Sequence, residues 1–184
     1  LSSIYSAMML RSMTCVSSSC RVVRQVSALH IPGAHLAIAD HIQVALTAEL
    51  LDDRGVAGET IRVANIVPFI VLKALAFRDR LEEKDAYDLV YCLRYYQGGP
   101  ASVAGAFAHA MSTMQDEPLL AEAVEILREH FATDDRAAGH RKDGPVSYAR
   151  FSVDPGRSDL IILNRRDAAA TVEAFLRDLL LLRS

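Results

Sequence analysis

Residues 61–100, IRVANIVPFIVLKALAFRDRLEEKDAYDLVYCLRYYQGGP, decide the fold. Pro68 suits the first turn of a helix, where its missing amide hydrogen would go unbonded anyway. Ile70, Val71, Ala74, Leu75 and Phe77 then form an apolar stripe broader than a surface helix needs, so residues 68–80 read as a helix mostly enclosed by others. Tyr87, Val90, Tyr91 and either Leu93 or Arg94 continue a 3.6-residue rhythm over 84–96. Gly98, Gly99 and Pro100 stop that second helix. The punctuation therefore predicts two adjacent helices.

The charges on this pair are unusual for their surroundings. Lys73 sits between Leu72 and Ala74 in an almost apolar helix, and a buried ammonium is costly unless it meets a carboxylate or a bound phosphate. Arg80 follows seven residues later, on roughly the same face two turns on. Asp85 and Asp88 are three residues apart at the start of the second helix, where acids also meet favourable helix polarity. Three readings stand side by side: Asp85 caps its helix, Asp88 pairs with Lys73 across the two helices, or the charges line an anion or nucleotide site. Lys73 and Asp88 are in any case expected to point toward a shared polar site.

Upstream, HIQVALTAEL (41–50) alternates Ile42, Val44 and Leu46 against His41, Gln43, Ala45 and Thr47, the two-residue period of a half-buried strand. LDDRGVAGE supplies a turn, and TIRVANI (60–66) returns with Ile61, Val63 and Asn65 on one side, giving an antiparallel hairpin of uncertain register. Downstream, residues 101–114 and 118–131 read as helices, the latter with a stripe of Leu120, Val124, Leu127 and Phe131. Residues 132–145 are polar and rich in breakers, and predict a surface loop. VSYARFSV (146–153) predicts a short strand, and residues 166–182 a helix turning Val172, Phe175, Leu176 and Leu179 inward. The fold class is α+β, a small antiparallel β element followed by a helical bundle.

Residues 1–30 carry eight serines, three arginines and no acid, without a strand or helix pattern. They are expected to be a loose lead-in with low packing density, the compact domain spanning 36–184. Their composition also fits an organellar transit peptide, but no amphipathic helix supports that.

With 184 residues and 20.2 kDa, the chain suits one compact domain, which buries roughly 70% of its extended surface. Hydrophobic residues make up 51% and charged residues 23%, which argues against disorder throughout. The net charge of -3 excludes a broad basic face for nonspecific nucleic-acid binding. The longest apolar runs fall far below the ~20 residues of a membrane span, so no membrane partner is expected. Three cysteines (Cys15, Cys20, Cys92) match neither a disulfide framework nor a zinc pattern, and a cytoplasmic location is the simplest reading. Cys92 reads as a core residue. The six histidines lack zinc spacing, Ser147 lacks a nucleophile-elbow context, and Gly98–Gly99 lack the Gly-Lys-Ser/Thr of a phosphate loop. Tyr87 and Tyr91 read as packing residues, with base stacking by one of Tyr87, Tyr91, Tyr95 and Tyr96 as the alternative.

The run from Ile61 to Leu93 resembles the second half of nucleotidyltransferase-like proteins of the AbiEii/AbiGii toxin type: a Lys in a helix, then a basic residue, then a KD-x-x-DL stretch. The matching positions are Lys73, Arg80, Lys84, Asp85 and Asp88, and the clear similarity covers roughly residues 60 to 100. The resemblance implies a mixed sheet with helices, followed by a helical portion flanking a nucleotide cleft. It makes Lys73 the leading phosphate contact, with Arg80 and Lys84 beside it in nucleotide binding. Asp85 and Asp88 become orienters of the basic groups or auxiliary acids, so that Lys73, Asp85 and Asp88 form the candidate catalytic set. A complete member would use Mg2+ and an NTP, the ion held by a strand-borne Asp-x-Asp pair behind a glycine motif. No such pair occurs upstream of Lys73; Asp52 and Asp53 are adjacent and lie in a presumptive turn. The expectation is therefore a C-terminal piece or degenerate copy, inactive as an isolated chain but retaining part of an NTP cleft. The alternative is a noncatalytic interaction module or pseudoenzyme of a toxin–antitoxin system. The implied partners are an antitoxin or a missing N-terminal half, a nucleotide, and an RNA or protein acceptor.

Overall fold

The computed structural model describes residues 31–51, 55–114, 117–132, 138–154 and 156–184. The expected loose lead-in at 1–30 lies outside them, as do Cys15, Cys20, Asp52 and Asp53. A short helix α1 (Ala34–Ala39) leads into strands β1 (His41–Glu49) and β2 (Val56–Ala64). Helices α2 (Ile66–Arg80), α3 (Glu83–Tyr95), α4 (Pro100–Thr113) and α5 (Glu117–Phe131) follow. A 3-10 turn (Gly139–Arg141) then precedes α6 (Asp143–Ser152) and α7 (Ser158–Arg183). The architecture is thus a two-stranded antiparallel sheet followed by a multi-helix bundle.

α2 is the axis of the bundle. It buries Ile66, Val67, Pro68, Ile70, Val71, Ala74, Leu75 and Phe77, and packs against α3, α4 and α5. Its first residue precedes Pro68 by two positions, because the Asn65 side chain caps it by accepting from the Ile66 amide at 2.8 Å. Asn65 also donates to Asp40 Oδ1 at 2.9 Å, so it belongs to the joint between hairpin and helix rather than to the strand. Around α2 the core is dense with aromatic rings. Phe107 of α4 meets Phe175 of α7 edge-on at 5.3 Å, and Phe77 lies 5.5 Å from Phe131 of α5. All four phenylalanines are fully buried, each contributing about 1.5–3 kcal/mol of transfer free energy.

The hairpin has the expected antiparallel pairing, with His41 opposite Ala64 and Glu49 opposite Val56. Ile42, Val44 and Leu46 share a face with Val63, Ile61 and Glu59. That face is less covered than a half-buried strand requires: Ile42 and Leu46 are each 44% exposed, and no β1 or β2 residue enters the core. The bundle reaches only the base of a sheet that has two strands.

Three expectations are corrected. Residues 146–153 are not a strand; 146–152 form most of α6 and Val153 follows as its C-cap, with Pro145, Tyr148 and Ala149 of this helix buried at helical spacing. The breaker-rich loop correspondingly ends early, because Gly144 and Pro145 sit in the first turn of α6, where proline costs nothing. The last helix also begins eight residues before Arg166, at Ser158. Gly144 is there for space: a Cβ at this position would come within 2.5 Å of the buried Phe131 ring. Gly144→Ala should therefore lose about 1–3 kcal/mol in urea unfolding, the usual cost of overpacking a core. Gly105, inside α4, has nothing within 4 Å of its would-be Cβ. Gly105→Ala should instead gain about 0.5–1 kcal/mol from helix propensity.

Candidate functional site

The link between α2 and α3 is two residues long, Leu81 and Glu82. Leu81 adopts a left-handed conformation (φ 53°), and its amide closes the last turn of α2 by bonding Phe77 O at 2.7 Å. A chain reversal this tight sets the C-terminal end of α2 against the first turn of α3. Arg80 ends one helix and Asp85 lies in the first turn of the next, each at the pole its charge prefers.

All five charged residues picked out by the sequence meet here. Asp85, only 1% exposed, is the centre. Lys73 Nζ donates to its Oδ1 at 2.9 Å, while Arg80 donates to its Oδ2 from Nε at 2.7 Å, with Nη2 also at 2.7 Å. Lys73 also reaches Asp88 Oδ2 at 2.7 Å, and Lys84 approaches the same oxygen at 3.0 Å from one turn earlier on α3. Lys73 and Asp88 thus share a polar site and pair across the helices. Asp85 does not cap α3 with its side chain: Glu82 occupies the cap position, and both Asp85 oxygens are engaged by cations from α2.

Exposure is graded outward through the cluster, from Asp85 through Asp88 (20%) and Lys73 (22%) to Lys84 (47%) and Arg80 (58%). Among these five side chains, three cations meet two carboxylates, one positive charge in excess. Burial by itself would depress the Lys73 ammonium, but its hydrogen bonds to Asp88 and Asp85 outweigh burial and hold the pKa above the ordinary lysine value. Nearby, burial chiefly, with the Asp88 charge in support, pushes the Cys92 thiol up to about 11. A thiol held neutral this way is a packing group rather than a nucleophile.

Along α3 the tyrosines pack as expected. Tyr87 stacks on Tyr148 of α6 at 5.8 Å and 12°, and lies 4.9 Å from Phe151; Tyr91 and Tyr95 continue the row at 4.7 Å. Arg94 is an anchor that the sequence does not announce. It reaches Asp167 at 2.6 Å and Thr171 at 3.0 Å on α7, and Tyr148 Oη at 3.4 Å on α6. Those partners are 54 to 77 residues away in sequence, so no local pattern announces them.

Among the described residues, no group of three or more His, Cys, Asp or Glu side chains could hold a metal ion, and no helix is long and apolar enough to cross a membrane. No protein-family model, curated protein or solved structure matches this chain.

Asp85→Asn removes the charge on which Lys73 and Arg80 converge. It should cost about 2–3 kcal/mol, below the 3–5 of a fully buried pair because water screens Arg80. Lys84→Ala, at an exposed bridge, should cost under about 1 kcal/mol in the same urea titration. Alkaline pH gives a second measurement. Cys92 and Lys73 both have raised pKa values in the fold, so their contributions are complete below the unfolded values and disappear as pH climbs through the folded ones. Stability should begin to fall near the ordinary thiol value of 9.0 and keep falling past about 11. In Cys92→Ala the onset should move up toward the ordinary tyrosine and lysine values of 10.0 and 10.5, since Tyr87 and Tyr148 are raised in the same direction.

Proposed function

We propose that the α2–α3 charged cluster is the phosphate-facing wall of a nucleotide cleft, in a nucleotidyltransferase-like chain that by itself binds a nucleoside triphosphate without transferring it. The observation that carries this reading is the convergence of Lys73, Arg80 and Lys84 on two carboxylates, with the cationic heads outermost. Asp85 and Asp88 act as orienters. They hold Lys73 and Arg80 in place before any ligand arrives, so a triphosphate meets cations whose side-chain entropy is already reduced. Arg80 offers a planar fork suited to phosphate oxygens and Lys84 a mobile point charge, while Lys73 sits behind them.

The same arrangement opposes catalysis by these residues. Mg2+ needs carboxylate oxygens turned toward it. Here Asp85 Oδ1 and Oδ2 and Asp88 Oδ2 already face ammonium or guanidinium groups, whose charge repels a divalent ion. Residues 1–72 hold no Asp-x-Asp pair to replace them. Magnesium therefore does not fit this cluster, and Lys73, Asp85 and Asp88 serve as binding and orienting groups rather than as catalysts. The other reading, a noncatalytic interaction module such as the partner-binding portion of a toxin–antitoxin pair, draws its support from the uncovered apolar face of the hairpin.

Calorimetric titration with ATP, GTP, CTP and UTP, with and without magnesium, tests the proposal. Weak binding, with a dissociation constant on the order of 1 mM (about −4 kcal/mol), is expected. The double variant Arg80→Ala/Lys84→Ala removes the two outer cations, leaves Lys73 on Asp85, and should weaken binding about tenfold, which corresponds to about 1.4 kcal/mol. Labelled nucleotide should not pass to RNA or protein acceptors. Binding indifferent to the double substitution, or absent for all four nucleotides, overturns the phosphate wall; label transfer overturns its noncatalytic character.

A further inference from the structure

The hairpin is a sheet without enough strands. An isolated two-stranded ribbon is marginal in water, and among the described residues nothing adds a third strand. The free edge of β1 can be read from the ladder. Leu50 N–H donates to Gly55 O at 2.8 Å and Asn65 N–H to Asp40 O at 3.2 Å, just beyond the two ends of the paired strands. In an antiparallel pair the bonded positions alternate, so Ile42, Val44, Leu46 and Ala48 bond inward to β2. His41, Gln43, Ala45, Thr47 and Glu49 therefore turn their amides and carbonyls outward, and the last four of these residues are exposed.

We propose that this edge pairs with the same edge of a second copy, across a two-fold axis through Ala45, to build a four-stranded antiparallel sheet. In that register Ala45 faces Ala45, Gln43 faces Thr47, and His41 faces Glu49 of the second copy, twice over. Every outward-facing residue finds a partner, and the only two ionisable side chains among them are of complementary type. Shifting the axis to Gln43 or Thr47 leaves two of the five unmatched. On the inward-bonded face, Val44 of each copy comes to lie beside Leu46 of the other, which joins the two apolar stripes. The strands run oppositely, so the hairpin tip of one copy reaches the base of the other. Leu51 (84% exposed) is thereby carried toward Ile38 (73% exposed).

The β2 edge offers no equivalent. Its outward residues are Val56, Gly58, Thr60, Arg62 and Ala64, among which Gly58 weakens pairing and the charge of Arg62 guards the edge. The β1 edge has no Lys, Arg, Pro or Gly to discourage a partner. This surface is independent of the nucleotide site.

Sedimentation analysis of the full chain over a range of concentrations tests the pairing. A concentration-dependent dimer is expected. Ala45→Pro removes the edge amide at the axis while leaving the inward bonds intact, and Thr47→Lys, which two-fold symmetry doubles, places a guarding charge beside it. Either should weaken dimerisation at least about tenfold with the helical circular dichroism melt unchanged, whereas Thr60→Lys on the other edge should not. Ala45→Cys reads the register: bonded antiparallel partners lie about 5.5 Å apart at Cα, within disulfide range. That variant should cross-link under mild oxidation above the background of the native cysteines, and Gln43→Cys should not. A chain monomeric at its highest soluble concentration, a dimer indifferent to Ala45→Pro and Thr47→Lys, or one broken by Thr60→Lys overturns the proposal. Cross-linking by Gln43→Cys in preference to Ala45→Cys overturns the register.

Discussion

The rest of the structure depends on a carboxylate that cannot stay where it is alone. Asp85 is 1% exposed, and an unpaired charge at that depth would cost several kcal/mol. Lys73 and Arg80 meet its two oxygens from α2, so the electrostatic requirement fixes both the crossing and the axial register of α2 and α3. Sliding α3 by one turn would move Asp85 about 5.4 Å from its partners and leave all three groups unbalanced. Hydrophobic packing, which is non-directional, sets how tightly these helices adhere. The ionic cluster sets where they stop. Leu81, held in a left-handed turn between them, is the local distortion that this alignment requires.

The bundle and the hairpin are stabilised differently. Phe77, Phe107, Phe131 and Phe175 interlock within a core to which α2, α3, α4, α5 and α7 all contribute, so loss of any one element exposes the others. The hairpin is joined to that core through Asn65, which caps α2 and grips Asp40 at once, and through little else. Its ladder is regular, yet its residues remain outside the core. Opening of the ribbon is therefore expected at much lower free energy than global unfolding, and an intermolecular partner at its edge would act on that local equilibrium first.

Legibility followed the range of the interactions. The α2–α3 pair could be read from sequence because its signals lie close together: Pro68, the apolar stripe and the Gly98–Gly99 stop all act within a turn or two. Lys73 was conspicuous because apolar neighbours make any ammonium anomalous, and its partners Asp85 and Asp88 lie only 12 and 15 residues on. The choice between a carboxylate and a phosphate as its counter-ion was not legible, since both satisfy the same charge. α6 is hidden in the sequence because Gly144 and Pro145 in isolation mark a loop. Their real constraint is the Phe131 ring, contributed by another helix. Arg94 gave no signal for the same reason, its acid and hydroxyl partners coming from α6 and α7. The alternation of β1 was correctly seen, but alternation reports which face would be buried and says nothing about whether a neighbour covers it.

The charged cluster must reconcile two demands that pull in opposite directions. As a helix clamp it is best when every cation is satisfied by a carboxylate; as a phosphate wall it is best when cations have charge to spare. The exposure gradient separates these demands in space. Lys73 lies deepest among the cations and contacts both carboxylates, so it belongs chiefly to the clamp, and taking it away would strand Asp85. Lys84 is about half exposed, where an ion pair is worth no more than about 1 kcal/mol, and it can swing toward a phosphate at little cost; Arg80 stays on the buried Asp85 Oδ2 and offers an anion only the N–H groups that this carboxylate leaves free. An anion binding there would draw on the outer cations and leave the inner pair intact. The clamp would then hold the site's geometry whether or not it is occupied, which allows one set of five side chains to position two helices and still present a cationic surface.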